Sequence, residues 1–150
     1  MPRKSVSAPA GDAPLRQGLL PGLLGYRLRL AQQAIFRDFA DSIPDLSPGR
    51  VGVLVLIESN PGVTQSRLAR AVGIDRSTLV GLLHELEARN LVQRRRGTDR
   101  RTNGLWLTAK GAALLARTLP LIARHEERVA AGLSASERSR LLALLGRLLG

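Results

Sequence analysis

Cysteine is absent from this chain of 150 residues, and aromatic side chains make up only 3% of it. The first absence excludes disulfides, thiol catalysis, thiol redox sensing and thiolate metal sites. The second leaves the core to Leu, Ala and Val, since apolar residues still account for 44% of the chain. Long hydrophobic runs are missing too. No stretch of about 18 uncharged apolar residues occurs, which argues against a membrane span. The basic N-terminal residues have no apolar run behind them, so they do not read as a signal peptide, and a cytoplasmic location is expected. Negative charge is also scarce: 12 acidic residues face 23 basic ones, a formal net charge of +11. Charge of that size speaks to partners and solubility, and nucleic acid is the commonest partner. Nearly all the basic residues are Arg, the exceptions being Lys4 and Lys110. A high-GC genome explains that choice but not the excess over acids.

Residues 1–14 are rich in Pro, Ser and Ala without a period and read as a disordered tail. From Leu15 to Ser42 the period is helical, with Leu20, Leu24, Leu28, Ala31, Ile35 and Phe39 on one stripe. Pro21-Gly22 delays the firm start of this helix and Pro44 ends it. Ser47-Pro48 is a helix-start signal, a capping Ser followed by Pro at the first helical position. That helix runs to about Ser59 and stops at Asn60-Pro61-Gly62. Thr64 caps a short helix ending at Gly73, and Asp75 caps the next, which extends to about Asn90. Two helices joined by so short a link are the signature of a helix-turn-helix. Leu91-Val92 begins a strand and Gly104-Leu105-Trp106-Leu107 supplies its partner, with the basic tip RRRGTDRRTN between them. Trp106 is expected to pack in the core rather than to offer a stacking platform. Thr108 caps a helix that runs to about Gly132, and Pro120 inside it is expected to bend it. Ser134 and Glu137 form a capping box that opens the last helix, whose apolar face is Leu141, Leu142, Leu145, Leu148 and Leu149. No internal repeat is present.

The expected fold class is therefore mainly α with a small β-hairpin wing. A winged helix-turn-helix lobe occupies residues 47–108. An N-terminal dimerisation helix over residues 15–46 and C-terminal dimerisation helices over residues 109–150 flank it. The Leu-rich faces at the two chain ends exceed what one small domain needs, which predicts a homodimer across a two-fold axis. A monomer with a large core is the alternative.

The helix after Asp75 divides by its period. Leu79, Leu82, Leu83 and Leu86 fall on the core side; Ser77, Gly81, His84 and Ala88 fall opposite, with Arg76, Thr78 and Val80 on the flanks. Small hydroxyl residues and a glycine permit close approach to the major groove of double-stranded DNA. Arg76, Ser77 and Thr78 can bond base edges or phosphates, helped by the unpaired backbone donors of the helix start. A solvated helix face is the competing account. The hairpin carries Arg94, Arg95, Arg96, Arg100 and Arg101 against Asp99 alone. Such density requires an anionic partner or solvent, and an Arg at a wing tip can enter a narrow minor groove. Asp99 is read as an intrachain partner that orients a wing Arg. Between residues 50 and 110, 11 basic residues face 5 acidic ones, more than half of the whole excess. Chemistry of another class finds little support. His84 lies on the groove-facing side, and His125-Glu126-Glu127 reads as a solvated turn. No nucleophile–base pair or phosphate-cradling loop can be placed, and two distant histidines make a poor metal set. No enzyme activity, cofactor or metal is expected.

From about Leu19 to Leu149 the chain resembles the MarR family of bacterial transcriptional regulators. The resemblance is carried by TQSRLARAVGIDRSTLVGLLHELEARNLVQRR, by Asp99-Arg100-Arg101 and by LWLTAKG. It implies a homodimer, formed through the first and the last two helices, that binds pseudo-palindromic operators. It implies also that Asp99 pairs with Arg101, which reaches the minor groove. Members commonly sense small anions, often aromatic carboxylates, in a crevice between the dimerisation helices and the DNA-binding lobe. A ligand there changes the spacing of the recognition helices. LLGYRLRLAQQAIFRDF and HEERVAAGLSASER are similar to a branch linked to aromatic-compound catabolism, some of whose members respond to aromatic acyl-CoA thioesters. The chain departs from the family pattern in a slightly shorter wing and in His84, which stands where an acid or amide is usual. The operator sequence is therefore not carried over. Tyr26, Arg27, Arg29 and Arg37 lie on the first helix near the expected crevice and are the candidate ligand residues. Arg suits carboxylate and phosphate because its planar fork donates two bonds at once. Arg27 and Arg29 fall about 200° apart around a helix, so one would meet a buried acid and the other a nucleotide phosphate. An ordinary surface or interface Arg is the alternative for each. The function expected is a ligand-responsive repressor; an architectural winged helix without a ligand is the alternative.

Overall fold

The structure, a computed structural model, describes residues 14–97 and 102–150. The expected N-terminal tail, apart from Pro14, and the wing residues Asp99, Arg100 and Arg101 lie outside the described residues. Contacts divide the chain into two compact units, Met1–Gln33 and Ala34–Gly150. In the first, a 3-10 turn over Leu20–Gly22, with Pro21 inside it, precedes the long helix α1 (Leu24–Ser42). The delayed start expected from Pro21-Gly22 is thus observed. Leu15, Leu19 and Leu24 are 90%, 71% and 67% exposed, so these leucines are not spent on an internal core.

The second unit continues from the end of α1 through α2 (Pro48–Ser59), β1 (Val63–Thr64), α3 (Gln65–Val72), α4 (Arg76–Ala88), β2 (Val92–Arg96), β3 (Asn103–Leu107), α5 (Ala109–Val129) and α6 (Ala135–Leu149). Each start has the chemistry that its sequence foretold. The side chains of Ser47, Thr64, Asp75 and Thr108 accept a backbone N–H three residues on, and Ser134 with Glu137 closes a capping box. Gly73 stops α3 in the left-handed conformation at φ 74°, where a Cβ would be strained. That stop aims the chain directly into the Asp75 cap.

Among the described residues the strands form a three-stranded antiparallel sheet in the order β1-β3-β2. Val63 opposes Leu105 on one side of β3, and Val92, Arg94 and Arg96 oppose Leu107, Leu105 and Asn103 on the other. β1 was not anticipated; two residues carry no readable period. The core joins Val53, Leu54 and Ile57 of α2 to Leu68, Leu79, Leu83, Leu86, Leu91, Leu105 and Leu115, each 1% exposed or less. This is an aliphatic core, as the shortage of aromatics required.

Two expectations need correction. Trp106 is not part of the core. It lies half-buried on the outer face of the sheet, so close to Gly62 and Gly104 that a Cβ on either would fall 2.9 or 2.6 Å from its ring. α5 runs through Pro120 as one helix, with the proline inside it, as expected, and on its exposed side. His125 is not on a solvated turn: it is 2% exposed, with Nδ1 2.7 Å from Asp38 Oδ1 and its ring edge-to-face with Phe39. Gly111, Leu114, Leu115, Thr118 and His125 are the buried positions of α5. Their helical spacing continues one stripe to His125, so burial was readable from the period. The polar partner, 87 residues away, was not.

Asp38 also accepts from Arg128 Nη2 at 2.9 Å, and Arg128 bonds Ser42 Oγ as well. The Arg128 bond, and then that of His125, holds the Asp38 carboxyl down at about 2. In α6 no residue is buried, and Leu141, Leu142, Leu144, Leu148 and Leu149 are all exposed. Among the described residues no helix is long and apolar enough to cross a membrane.

Candidate nucleic-acid interface

On α4, Leu79, Leu83 and Leu86 are buried and Leu82 half-buried, which turns the other face outward. Arg76, Ser77, Thr78, Gly81, His84 and Ala88 are all exposed. A Cβ built on Gly81 would meet nothing within 4 Å, so the middle of this face is open to another molecule.

The first turn is organised by Asp75. Ser77 Oγ donates to Asp75 Oδ1 at 2.5 Å, Thr78 Oγ1 donates to Oδ2 at 2.5 Å, and the Thr78 amide donates to Oδ1 at 2.9 Å. These bonds, that of Ser77 foremost, hold the Asp75 carboxyl well below the usual carboxylate range. The far half of α4 is tied to its neighbours by ion pairs. Arg50 Nε donates to Glu85 Oε1 at 2.9 Å and its Nη2 to Oε2, which lowers the Glu85 carboxyl. Arg94 Nε donates to Glu87 Oε1 at 2.7 Å, and Arg94 Nη1 to Gln65 Oε1 at 3.1 Å.

The last pair narrows the basic wing. Arg94 was counted among arginines opposed by Asp99 alone, yet Glu87 pairs with it. Strand alternation explains why: Val92, Arg94 and Arg96 share one face of β2, Val92 being buried, while Gln93 and Arg95 share the other. Arg94 therefore points back at α3 and α4. Arg95 reaches the outer face, its guanidinium carbon 5.7 Å from the Trp106 ring centroid, within cation–π range. Arg95 and Arg96 are both exposed. A cleft of about 320 Å³, lined in part by Gln65, Ser66, Arg76, Arg94 and Asn103, brings the starts of α3 and α4 together with the wing strands.

The four ligand candidates on α1 separate. Arg29 lies over the Tyr26 ring, 5.4 Å from its centroid, and Arg27 Nε donates to the Pro21 carbonyl at 2.8 Å. Arg37, in the second unit, is exposed. A further cleft of about 350 Å³ in the second unit is lined by residues the sequence did not single out, among them Phe39, Ile43, Leu46, Arg50 and Arg89. Among the described residues no three His, Asp or Glu side chains converge as metal ligands.

A helix-turn-helix with an open, polar second helix and an Arg-rich hairpin beside it defines a winged-helix DNA-binding protein. The MarR family model matches residues 45–102. A Thauera aromatica protein named for transcriptional regulation of the hcr operon is 40% identical, over 97% of this chain and 92% of its own. The repressor CouR bound to a 23-mer DNA duplex superimposes with a TM-score of 0.86 at 40% identity, over 92% of this chain and all of its own. CouR bound to p-coumaroyl-CoA gives 0.84 at 39% identity, over 91% of this chain and 98% of its own. The chain belongs to the MarR family and is a transcriptional regulator of that family.

Proposed function

We propose that the protein is a homodimeric repressor, acting in the cytoplasm, that leaves a pseudo-palindromic operator when a small aromatic anion or its CoA thioester binds. The observation that carries the reading is the outward face of α4. Arg76, Ser77, Thr78, Gly81 and His84 are exposed together there, in a chain 40% identical to a repressor seen on duplex DNA. Arg95 and Arg96 extend this surface along the wing, and by family resemblance Asp99, Arg100 and Arg101 carry it to the tip.

The dimer rests on residues 15–46 and 109–150. Exposed leucines such as Leu142 at 59% and Leu148 at 57% give α6 apolar surface that a second copy of the chain would cover. Dimerisation also sets function, because two recognition helices on a two-fold axis read half-sites about 10 base pairs apart, centre to centre. The ligand class is supported by the p-coumaroyl-CoA complex of CouR. Tyr26, Arg27, Arg29 and Arg37 offer this chain an aromatic ring and guanidinium forks for an acid or a nucleotide phosphate. A ligand that prefers the off-DNA spacing lowers operator affinity by the ratio of its affinities for the two states.

The test is displacement of the gene's own upstream DNA, followed by fluorescence anisotropy. p-Coumaroyl-CoA, p-coumarate and other aromatic acids are expected to raise the dissociation constant, and CoA alone to leave it unchanged. If no aromatic acid or thioester moves it, the ligand assignment fails. A footprint covering a single half-site contradicts the dimer.

A further inference from the structure

A hydroxyl has one proton and two lone pairs, whereas an ionised carboxylate only accepts. Ser77 Oγ and Thr78 Oγ1 each lie 2.5 Å from an oxygen of Asp75, so both hydroxyls must be the donors. Their protons are spent. Both residues remain exposed at the start of α4, and what they can offer a partner there is lone pairs alone. Bonds to an ionised acceptor are about twice as strong as neutral ones, so turning either proton outward to a neutral carbonyl is a losing exchange. In the major groove the donors are the amino groups of adenine N6 and cytosine N4; guanine O6, thymine O4 and the phosphate oxygens accept. Hydroxyls that can only accept match the amino groups and mismatch everything else.

We propose that Asp75 sets the polarity with which the first turn of α4 reads bases: through Ser77 and Thr78 it selects adenine or cytosine, against guanine or thymine, on the strand they face. The proposal rests on the reading of α4 as the recognition helix, which was drawn from its exposed face and from similarity to a repressor bound to duplex DNA, without the Asp75 geometry. It makes Asp75 a positioning residue, acting through two hydroxyls rather than on DNA. Each base pair shows one amino and one keto group in the major groove. The turn therefore reads the orientation of a pair, not its composition.

The experiment measures the affinity of the full-length protein for every single base-pair substitution of an operator taken from its upstream DNA. Wild type, Asp75→Asn and the double variant Ser77→Ala/Thr78→Val are compared. Asn is as good an N-cap as Asp, but its amide donates to one hydroxyl and frees that proton to point outward. Wild type is expected to prefer adenine or cytosine by about five- to tenfold at one or two positions of each half-site, the worth of roughly one hydrogen bond. Asp75→Asn should weaken or reverse the preference there and leave the other positions unchanged. The double variant, whose cap is intact, should abolish it, and it decides the matter if Asp75→Asn does not fold. Preferences unchanged in the variants, or weakened evenly at all positions, overturn the proposal while leaving sequence-specific DNA binding in place. A wild type that ranks all sequences equally overturns both.

Discussion

Replacing Gly111 by Ala sets two effects of opposite sign against each other. In a helix Ala is favoured over Gly by up to about 1 kcal/mol, so propensity alone predicts a more stable protein. The surroundings predict the reverse. A Cβ on Gly111 would lie 2.0 Å from the Leu91 carbonyl oxygen and 2.9 Å from its carbon. An ordinary carbon–oxygen contact needs about 3.3 Å, so more than 1 Å must be found. The obstacle cannot swing away, because it is backbone: Leu91 is 1% exposed and its carbonyl accepts the Thr108 amide at 3.0 Å. Overpacking of this kind costs about 1–3 kcal/mol. Weakening the Thr108 bond adds about 1 kcal/mol. The net expectation is a loss of about 2 kcal/mol, or roughly 4–8 °C in Tm for a chain of this length. Thermal and urea unfolding should be compared at one protein concentration, since the stability of the proposed dimer would depend on it. A Gly111→Ala protein as stable as wild type, or more so, would refute the seating of α5 on the strand that enters the wing.

Gly81→Ala is the converse case: with nothing within 4 Å of the new Cβ, the free protein should gain up to about 1 kcal/mol while operator affinity falls, and a variant that binds DNA as before would take Gly81 off the interface. Asp38 is held at about 2 rather than its ordinary 3.8, chiefly by Arg128 and then by His125, so its contribution to stability is full above about pH 4 and is lost as pH falls towards 2. Asp38→Asn should therefore destabilise the neutral protein and flatten that acid limb of an unfolding series; a limb of unchanged slope would remove the network from the account. Leu142→Glu, on the exposed face of α6, should yield monomers by sedimentation and abolish operator binding without unfolding the second unit, whereas a dimeric variant would place the interface elsewhere.

Local chemistry was the legible part of this fold. Ser47, Thr64, Asp75, Thr108 and Ser134 each announce a helix by a bond that spans three residues, and all five bonds are formed. The core face of α4 followed from its period in the same way. Features made across long separations were not legible. Asp38 meets His125 only because the end of α1 lies against α5, and Arg50 meets Glu85 across 35 residues. Arg94 could have been assigned from strand alternation, had Val92 been recognised as its buried neighbour on the same face. The direction of a hydroxyl proton lies between these cases. Asp75, Ser77 and Thr78 are adjacent in sequence, but only the short distances show that the cap takes both protons. In the ligand region the sequence named residue types without geometry, and Arg27 proves to be engaged with the backbone of the 3-10 turn that precedes its helix.

The most direct test of the account is the affinity of the protein for its own upstream DNA beside a scrambled duplex of equal length and composition, across a salt series. A sequence-specific dimer should bind the upstream DNA at least about 10³-fold more tightly. Affinity for both duplexes should fall steeply with salt, as phosphate contacts by arginine require. Equal affinity for the two duplexes at every salt concentration would contradict it.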